Sequence, residues 1–261
     1  MKIYILTIFP EIFSSVLSCG VIGRSRTQFE VINIRDFATN KHRAVDDAPY
    51  GGFGGMVILP EVVMDAFDSL PEEARAKVII PTPRGRLFRQ EDAAALSKEK
   101  AITFICPHYK GIDERVFELT GAVRYSIGDY VLTGGELPAL VMIDAIVRLL
   151  PNVLGNFQSA ELDSFYGKWH LGAPVYTRPR VFRGLKVPDV LISGDHKRVL
   201  RWKKMKGLAD TLKYRPELVE EKKLTEEEKE LLKMIKDKKG GIDVRPDNQN
   251  GRSSLPKKGA G

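Results

Sequence analysis

The 261-residue chain is poor in cysteine: only Cys19 and Cys106 occur, far apart and in apolar settings. That argues against a disulfide framework and a cysteine-based zinc site, and makes a reducing cytosol the expected compartment. No stretch reaches the roughly 20 consecutive apolar residues of a membrane span. The apolar start Lys2–Phe9, with Val-Leu-Ser-Cys-Gly20 after it, superficially suggests a leader, but Pro10 and Glu11 interrupt it and its positive region is one lysine. A buried first strand is the better reading. The motifs G-x-x-x-x-G-K-[ST], H-E-x-x-H, G-x-S-x-G and C-x-x-C are all missing, which removes the commonest nucleotide, metalloprotease, hydrolase and dithiol readings. His42, His108, His170 and His196 share no metal-ligand spacing, so none is expected to hold a metal.

Positive charge, in contrast, is in surplus. Lys and Arg total 41 against 34 Asp and Glu, a net charge of +7. The segment Lys197–Arg215 holds eight basic residues and one acid, enough to account for the whole surplus. A localised basic face points to a polyanion, with nucleic acid the leading candidate, because each phosphate neutralised releases counterions.

The most informative stretch is Ser126-Ile-Gly-Asp-Tyr-Val-Leu-Thr-Gly-Gly-Glu-Leu-Pro138, where an apolar run enters a Gly-Gly pair and a Glu-Leu-Pro helix start leaves it. Glycine permits unusual dihedrals and close approach of backbone to a bound small molecule. Gly111-Ile-Asp-Glu-Arg-Val116 and Asp46–Met56 add two more glycine-marked turns. Lys2–Phe9, Val31–Ile34, Lys77–Pro81, Ala101–Cys106 and Val123–Ile127 read as strands. Helical patterns at Glu11–Cys19, Leu59–Asp68, Arg89–Glu99 and Glu114–Leu119 alternate with them, predicting an α/β domain with a mainly parallel sheet. Ligands in that architecture sit at the carboxyl ends of strands, where the glycine turns fall.

The predicted helix Leu137–Leu150 is apolar on nearly every side, with Asp144 and Arg148 its only charges. Such a helix needs cover all round, from its own domain or, the favoured alternative, from a second subunit. Residues 1–157 are therefore assigned to the α/β domain, 158–175 to an interdomain linker, 176–239 to a smaller helical domain and 240–261 to a disordered tail. In the helical domain Asp195 is expected to cap Lys197–Lys213, whose stripe of Val199, Trp202, Met205, Leu208 and Leu212 leaves the basic residues facing elsewhere, and Thr225-Glu-Glu-Glu228 is a capping box opening a second helix.

From Lys2 to about Lys233 the chain closely resembles the bacterial tRNA (guanine-N(1)-)-methyltransferases. The resemblance runs through Ile8-Phe-Pro-Glu11, Gly20-Val-Ile-Gly-Arg24, Arg35-Asp-Phe37, Asp46–Met56, Gly111–Val116, Ser126–Ala139, Asp163-Ser-Phe165 and Tyr176-Thr-Arg-Pro179. It implies an enzyme that methylates the guanosine immediately 3′ of the anticodon, with S-adenosylmethionine as donor. It also implies a deep trefoil knot in the donor-binding region, which generic topology rules would argue against, and a cytoplasmic homodimer whose subunits share the active site. Two other readings are a catalytically silent tRNA-binding relative, against which Asp163 and the Ile127–Gly135 loop weigh, and a methyltransferase of the same fold acting on ribosomal RNA.

The resemblance carries the donor pocket onto Thr82, Pro83, Gly85, Pro107, Tyr109, Gly111, Ile127, Gly128, Asp129, Tyr130, Val131, Leu132, Gly134 and Gly135. It carries the general base onto Asp163 and an arginine beside the base's O6 onto Arg148. Contacts to tRNA fall on Asp46, Lys197, Arg201, Lys203, Lys204 and Lys206. Chemically the pair fits, since guanine N1 carries a proton that a carboxylate must remove, and a cation offsets the charge that then gathers on O6. The chain departs from the family at Pro107-His-Tyr-Lys-Gly111, where the usual pattern is Gly-Arg-Tyr-Glu-Gly. Lys110 thus replaces an acid, and a magnesium requirement is left open.

Overall fold

The structure is a computed structural model and describes residues 1–40, 42–52, 54–154, 163–165, 170–219 and 224–238. The expected tail 240–261, and residues 158–162 and 166–169 of the expected linker, lie outside the described residues. The chain divides into two compact units, Met1–Phe157 and Gln158–Gly261.

In the first unit, β1 (Lys2–Thr7), β2 (Gln28–Asn33), β5 (Val78–Leu87), β6 (Ala101–Ile105) and β7 (Val123–Ser126) form one parallel sheet in the order β2-β1-β6-β5-β7. Parallel strands need crossovers, and these supply α1 (Glu11–Ser18), α2 (Gly20–Arg24), α3 (Pro60–Asp68), α4 (Glu72–Arg75), α5 (Gln90–Leu96) and α6 (Glu114–Thr120). The helix α7 (Glu136–Val147) follows β7. Both faces of the sheet are buried, so the strands read as continuous apolar runs rather than alternating ones. Within β1, Tyr4 and Leu6 join the core with Ile34, Val63 and Phe67, while Ile3 and Ile5 join the opposite core with Phe13, Leu96, Met142 and Ile143.

Helix α7 lies over the sheet of its own unit, burying Pro138, Ala139, Leu140, Met142, Ile143, Ile146 and Val147. The central-helix alternative therefore accounts for most of its apolar surface. A stripe remains: Leu137 and Val141, one turn apart, are 53% and 52% exposed. Sequence periodicity missed the ribbon of β3 (Asp46–Asp47) and β4 (Val57–Ile58), whose strands are too short to show a period.

The second unit departs from the purely helical domain that its sequence suggests. It also holds a hairpin, β8 (Val181–Phe182) with β9 (Leu185–Lys186), turned at Arg183 and Gly184, both with positive φ. Its helices are α8 (His196–Tyr214) and α9 (Glu226–Lys238). Asp195 caps α8 by accepting from the Arg198 amide at 3.0 Å, and Thr225 and Glu228 form the expected capping box on α9. Leu208, Leu224, Leu231, Leu232 and Ile235 make the small core, flanked by Met205 and Leu212.

Candidate active site

The ends of β5, β6 and β7 open into a cleft of about 360 Å³, within the range of small-molecule sites. Three segments wall it: 81–84 in the irregular middle of β5, 107–112 beyond β6, and 124–128 with 130–135 at and beyond β7, with Glu114, Phe117 and Pro138 completing the lining. Of the fourteen expected donor-pocket positions, all line the cleft except Gly85 and Asp129. Gly85 is needed for a different reason. A Cβ there would lie 2.4 Å from the Tyr125 amide nitrogen, so only glycine lets β5 run this close to β7.

The Gly-Gly pair also works differently from the sequence expectation. Neither Gly134 nor Gly135 has positive φ, and Gly135 is in the ordinary helical region at φ −85°. A Cβ on Gly134 would lie 2.2 Å from Glu136 Oε2 and 2.4 Å from His108 Nδ1, and one on Gly135 2.4 Å from Pro107 Cδ. The missing side chains thus let the loop press onto protein while both glycines also line the cleft. That close approach permits a backbone bridge between His108 and Gly134 and a 2.6 Å bond from the Gly135 amide to the Pro107 carbonyl. Gly111 does take an unusual dihedral at the cleft: it lines the cleft at φ +128°, and a Cβ there would meet no atom within 4 Å. Beside it Tyr109 holds φ +58°, a conformation costing a non-glycine residue about 1–2 kcal/mol, and is kept there by bonds on both sides, Lys110 N to Met56 O and Gly111 N to His108 O, each 2.9 Å.

Beneath the loop lies a polar cluster that sequence reasoning passed over. Glu136, which opens the Glu-Leu-Pro helix start, is 2% exposed, accepts from Thr7 Oγ1 at 2.9 Å and sits 3.5 Å from His108 Nδ1. His108, for which the sequence offers no partner, is wedged edge-on between Phe9 and Tyr109. Burial pushes the Cys106 thiol well above its ordinary value, and Glu136 adds to the shift. The only signal in the sequence was that an acid and a histidine flank two glycine turns, which does not reveal that they meet.

At the rim, Glu114 bridges Arg84 at 3.2 Å and Arg124 at 2.5 Å, and Arg124 lies 4.0 Å over the Phe117 ring. This ties the β5 and β7 walls to α6. Asp113 caps α6 through the Arg115 amide, and its hydrogen bonds to the Arg115 guanidinium hold its carboxyl below the ordinary aspartate value. Lys110 lines the cleft where the resemblance expects an acid. Among the described residues no group of three or more His, Cys, Asp or Glu gathers as a metal site, and nothing supports magnesium.

The two expected catalytic residues do not line this cleft. Arg148 is the C-cap of α7, a 12-residue helix whose N-terminal end borders the cleft, so roughly 18 Å of helix separates them. Asp163 belongs to the second unit. Among the expected tRNA contacts, Asp46 is half-buried in the β3–β4 ribbon, Lys197, Arg201 and Lys206 are exposed, and Lys203 is half-buried. Lys204 is turned onto α9, 2.5 Å from Glu227, and Arg201 reaches Met234, so the basic residues do not all face away from the packing side.

Comparison with known proteins decides the family. The profile described as tRNA (Guanine-1)-methyltransferase TrmD matches residues 1–221. The chain belongs to the TrmD tRNA (guanine-1)-methyltransferase family. Enzymes named tRNA (guanine-N(1)-)-methyltransferase from Anoxybacillus flavithermus and Pelotomaculum thermopropionicum are each 47% identical over 242 residues, covering 90% of this chain and 98% and 96% of theirs. The enzyme of that name from Bacillus cereus is 45% identical over 245 residues, covering 92% of this chain and 100% of its own. No described helix is long and apolar enough to cross a membrane.

Proposed function

We propose that this TrmD-family enzyme binds S-adenosylmethionine in the cleft and methylates N1 of the guanosine immediately 3′ of the anticodon in cytoplasmic tRNA. The observation that carries the reading is that three separate segments, 81–84 of β5, 107–112 after β6 and 124–135 at and after β7, converge on one cleft beside adjacent parallel strands. The cleft suits such a donor: apolar Ile127, Leu132 and Pro138 offer a surface for a flat ring system, backbone turns offer polar groups, and Gly111 leaves open space at the wall. When bound, the donor supplies an electrophilic methyl group on a sulfonium sulfur.

The remaining chemistry falls to the chain itself. The Asp163 carboxylate takes the proton from guanine N1, freeing the nitrogen lone pair for the methyl group. The Arg148 guanidinium offsets the negative charge that gathers on O6 as the proton leaves. The distance of Arg148 from the cleft along α7, and the exposed Leu137–Val141 stripe on that helix, favour a homodimer in which one subunit's cleft is completed by its partner. The exposed bases of α8 are the tRNA-facing charge.

Asp163→Asn tests the assignment. Transfer is expected to be abolished while donor affinity stays nearly intact, because Asp163 acts on the base; a large loss of donor affinity would overturn that role. Mixing Asp163→Asn with Gly111→Val, whose bulk at a cleft-lining position of φ +128° is expected to block donor binding, tests the shared site. Heterodimers are expected to recover activity in the one composite site with both halves intact, and folded heterodimers that stay inactive would contradict it.

A further inference from the structure

In the second unit, the turn Asp163–Phe165 is tied to the segment His170–Gly172. The Gly172 amide donates to Ser164 Oγ at 2.9 Å and the Phe165 amide to the His170 carbonyl at 3.2 Å. That second segment is in turn seated on α8. The Leu171 amide donates to Thr211 Oγ1 at 3.0 Å, and the same hydroxyl donates to the Gly207 carbonyl at 2.7 Å, using both its hydrogen and a lone pair. Gly207 faces the same segment: a Cβ there would lie 2.5 Å from the Leu171 carbonyl oxygen. A third tie comes from α9. His170, 7% exposed, has Nδ1 2.8 Å from the Leu171 carbonyl and Nε2 3.4 Å from Glu228 Oε1, while Glu228 Oε2 closes the capping box with Thr225.

Helix stability alone does not explain these residues. Glycine in a helix interior is less stable than alanine by about 0.5–1 kcal/mol, and threonine is a weak helix former. Both stand one turn apart on α8, fully buried or nearly so, and both face the segment that holds the Asp163 turn. We propose that Gly207, Thr211 and the His170–Glu228 pair are positioning residues for methyl transfer, the first two fixing the turn that bears Asp163 to the basic helix α8 and the pair fixing it to α9. The helix that meets the tRNA backbone then also sets the position of the carboxylate, so docking of the anticodon stem and delivery of the base share one rigid part. The proposal rests on the assignment of Asp163 as general base.

None of these four residues is assigned a contact with substrate or donor, so their loss is read in turnover and not in binding. The test uses the full-length enzyme with Thr211→Val, which keeps shape and removes the hydroxyl, Thr211→Ser, which restores it, and Gly207→Ala, which favours the helix but pushes on Leu171. Thr211→Val and Gly207→Ala are expected to lower kcat about 10- to 100-fold, with KM for tRNA and for S-adenosylmethionine changed less than about twofold. Amide exchange at Phe165, Leu171 and Gly172 is expected to accelerate in both, and Thr211→Ser to keep wild-type turnover and protection. Wild-type kcat in Thr211→Val and Gly207→Ala, or a deficit in Thr211→Ser as large as in Thr211→Val, would overturn the proposal. Asp163→Asn run alongside separates the two readings: full activity there overturns the base assignment, whereas a dead Asp163→Asn enzyme beside fully active anchor variants overturns the anchor alone.

Discussion

Thr7 and Glu136 are 129 residues apart in the chain and share a buried 2.9 Å hydrogen bond that joins the end of β1 to the start of α7 under the cleft loop. Thr7 Oγ1 also accepts from the Phe9 amide at 3.0 Å, so one hydroxyl serves the strand end and the helix start together. Thr7→Val keeps the volume and strips both partners, leaving a buried carboxylate oxygen and an amide less well satisfied, at a cost of about 1–3 kcal/mol. Denaturant unfolding is expected to register that loss together with weaker donor binding, since Glu136 also borders His108. Unchanged stability would show that water or another group replaces the hydroxyl.

Gly134 yields a prediction different from simple occlusion. The added Cβ in Gly134→Ala strikes Glu136 and His108, so the loop must lift and donor affinity is expected to fall at least about tenfold, given how little backbone can shift in a packed site. The double variant Gly134→Ala, His108→Ala removes one of the two obstacles and is expected to recover part of the affinity in calorimetric titration. A double variant weaker than Gly134→Ala would mean that the methyl group blocks the ligand directly.

On α8, charge is the expected currency of tRNA binding. Replacing Lys197, Lys203 and Lys206 with Gln is expected to flatten the salt dependence of tRNA affinity by about one counterion for each phosphate no longer neutralised. Lys204→Gln alone is expected to change the slope least, because its ammonium is already held by Glu227. Equal slopes for wild type and the triple variant would show that this face is merely solvated.

The two cysteines are expected to differ in reactivity. Cys19 is exposed, whereas Cys106 is fully buried with its thiol pushed well up, and only the thiolate is nucleophilic. Mild alkylation at neutral pH is expected to label Cys19 alone, with Cys106 labelled only after unfolding; mass spectrometry finding both labelled in folded protein would contradict the packing beneath the cleft.

The central strands were legible because β1 and β6 are buried on both faces and read as apolar runs, and the two helices of the second unit because each carries its own start signal, at Asp195 and Thr225. The cleft positions were legible through the glycine turns and the family resemblance, yet the reason for Gly134 and Gly135 was not: whether a missing Cβ makes room for ligand or for protein depends on what packs across from it. Glu136 and His108 stayed hidden for the same reason, since their meeting depends on β1, β6 and α7 being brought together. The hairpin at Arg183–Gly184 escaped because two-residue strands show no alternation, and the partial turning of the α8 bases toward α9 escaped because spacing does not show where a long side chain ends.

Methyl transfer to guanine N1 beside the anticodon is open to direct assay. The protein is incubated with S-adenosylmethionine labelled in its methyl group and two tRNA transcripts that differ only in carrying G or A immediately 3′ of the anticodon. Label is expected in the G transcript, recovered as 1-methylguanosine, and none in the A transcript; equal labelling of both, or of neither, would rule out this activity.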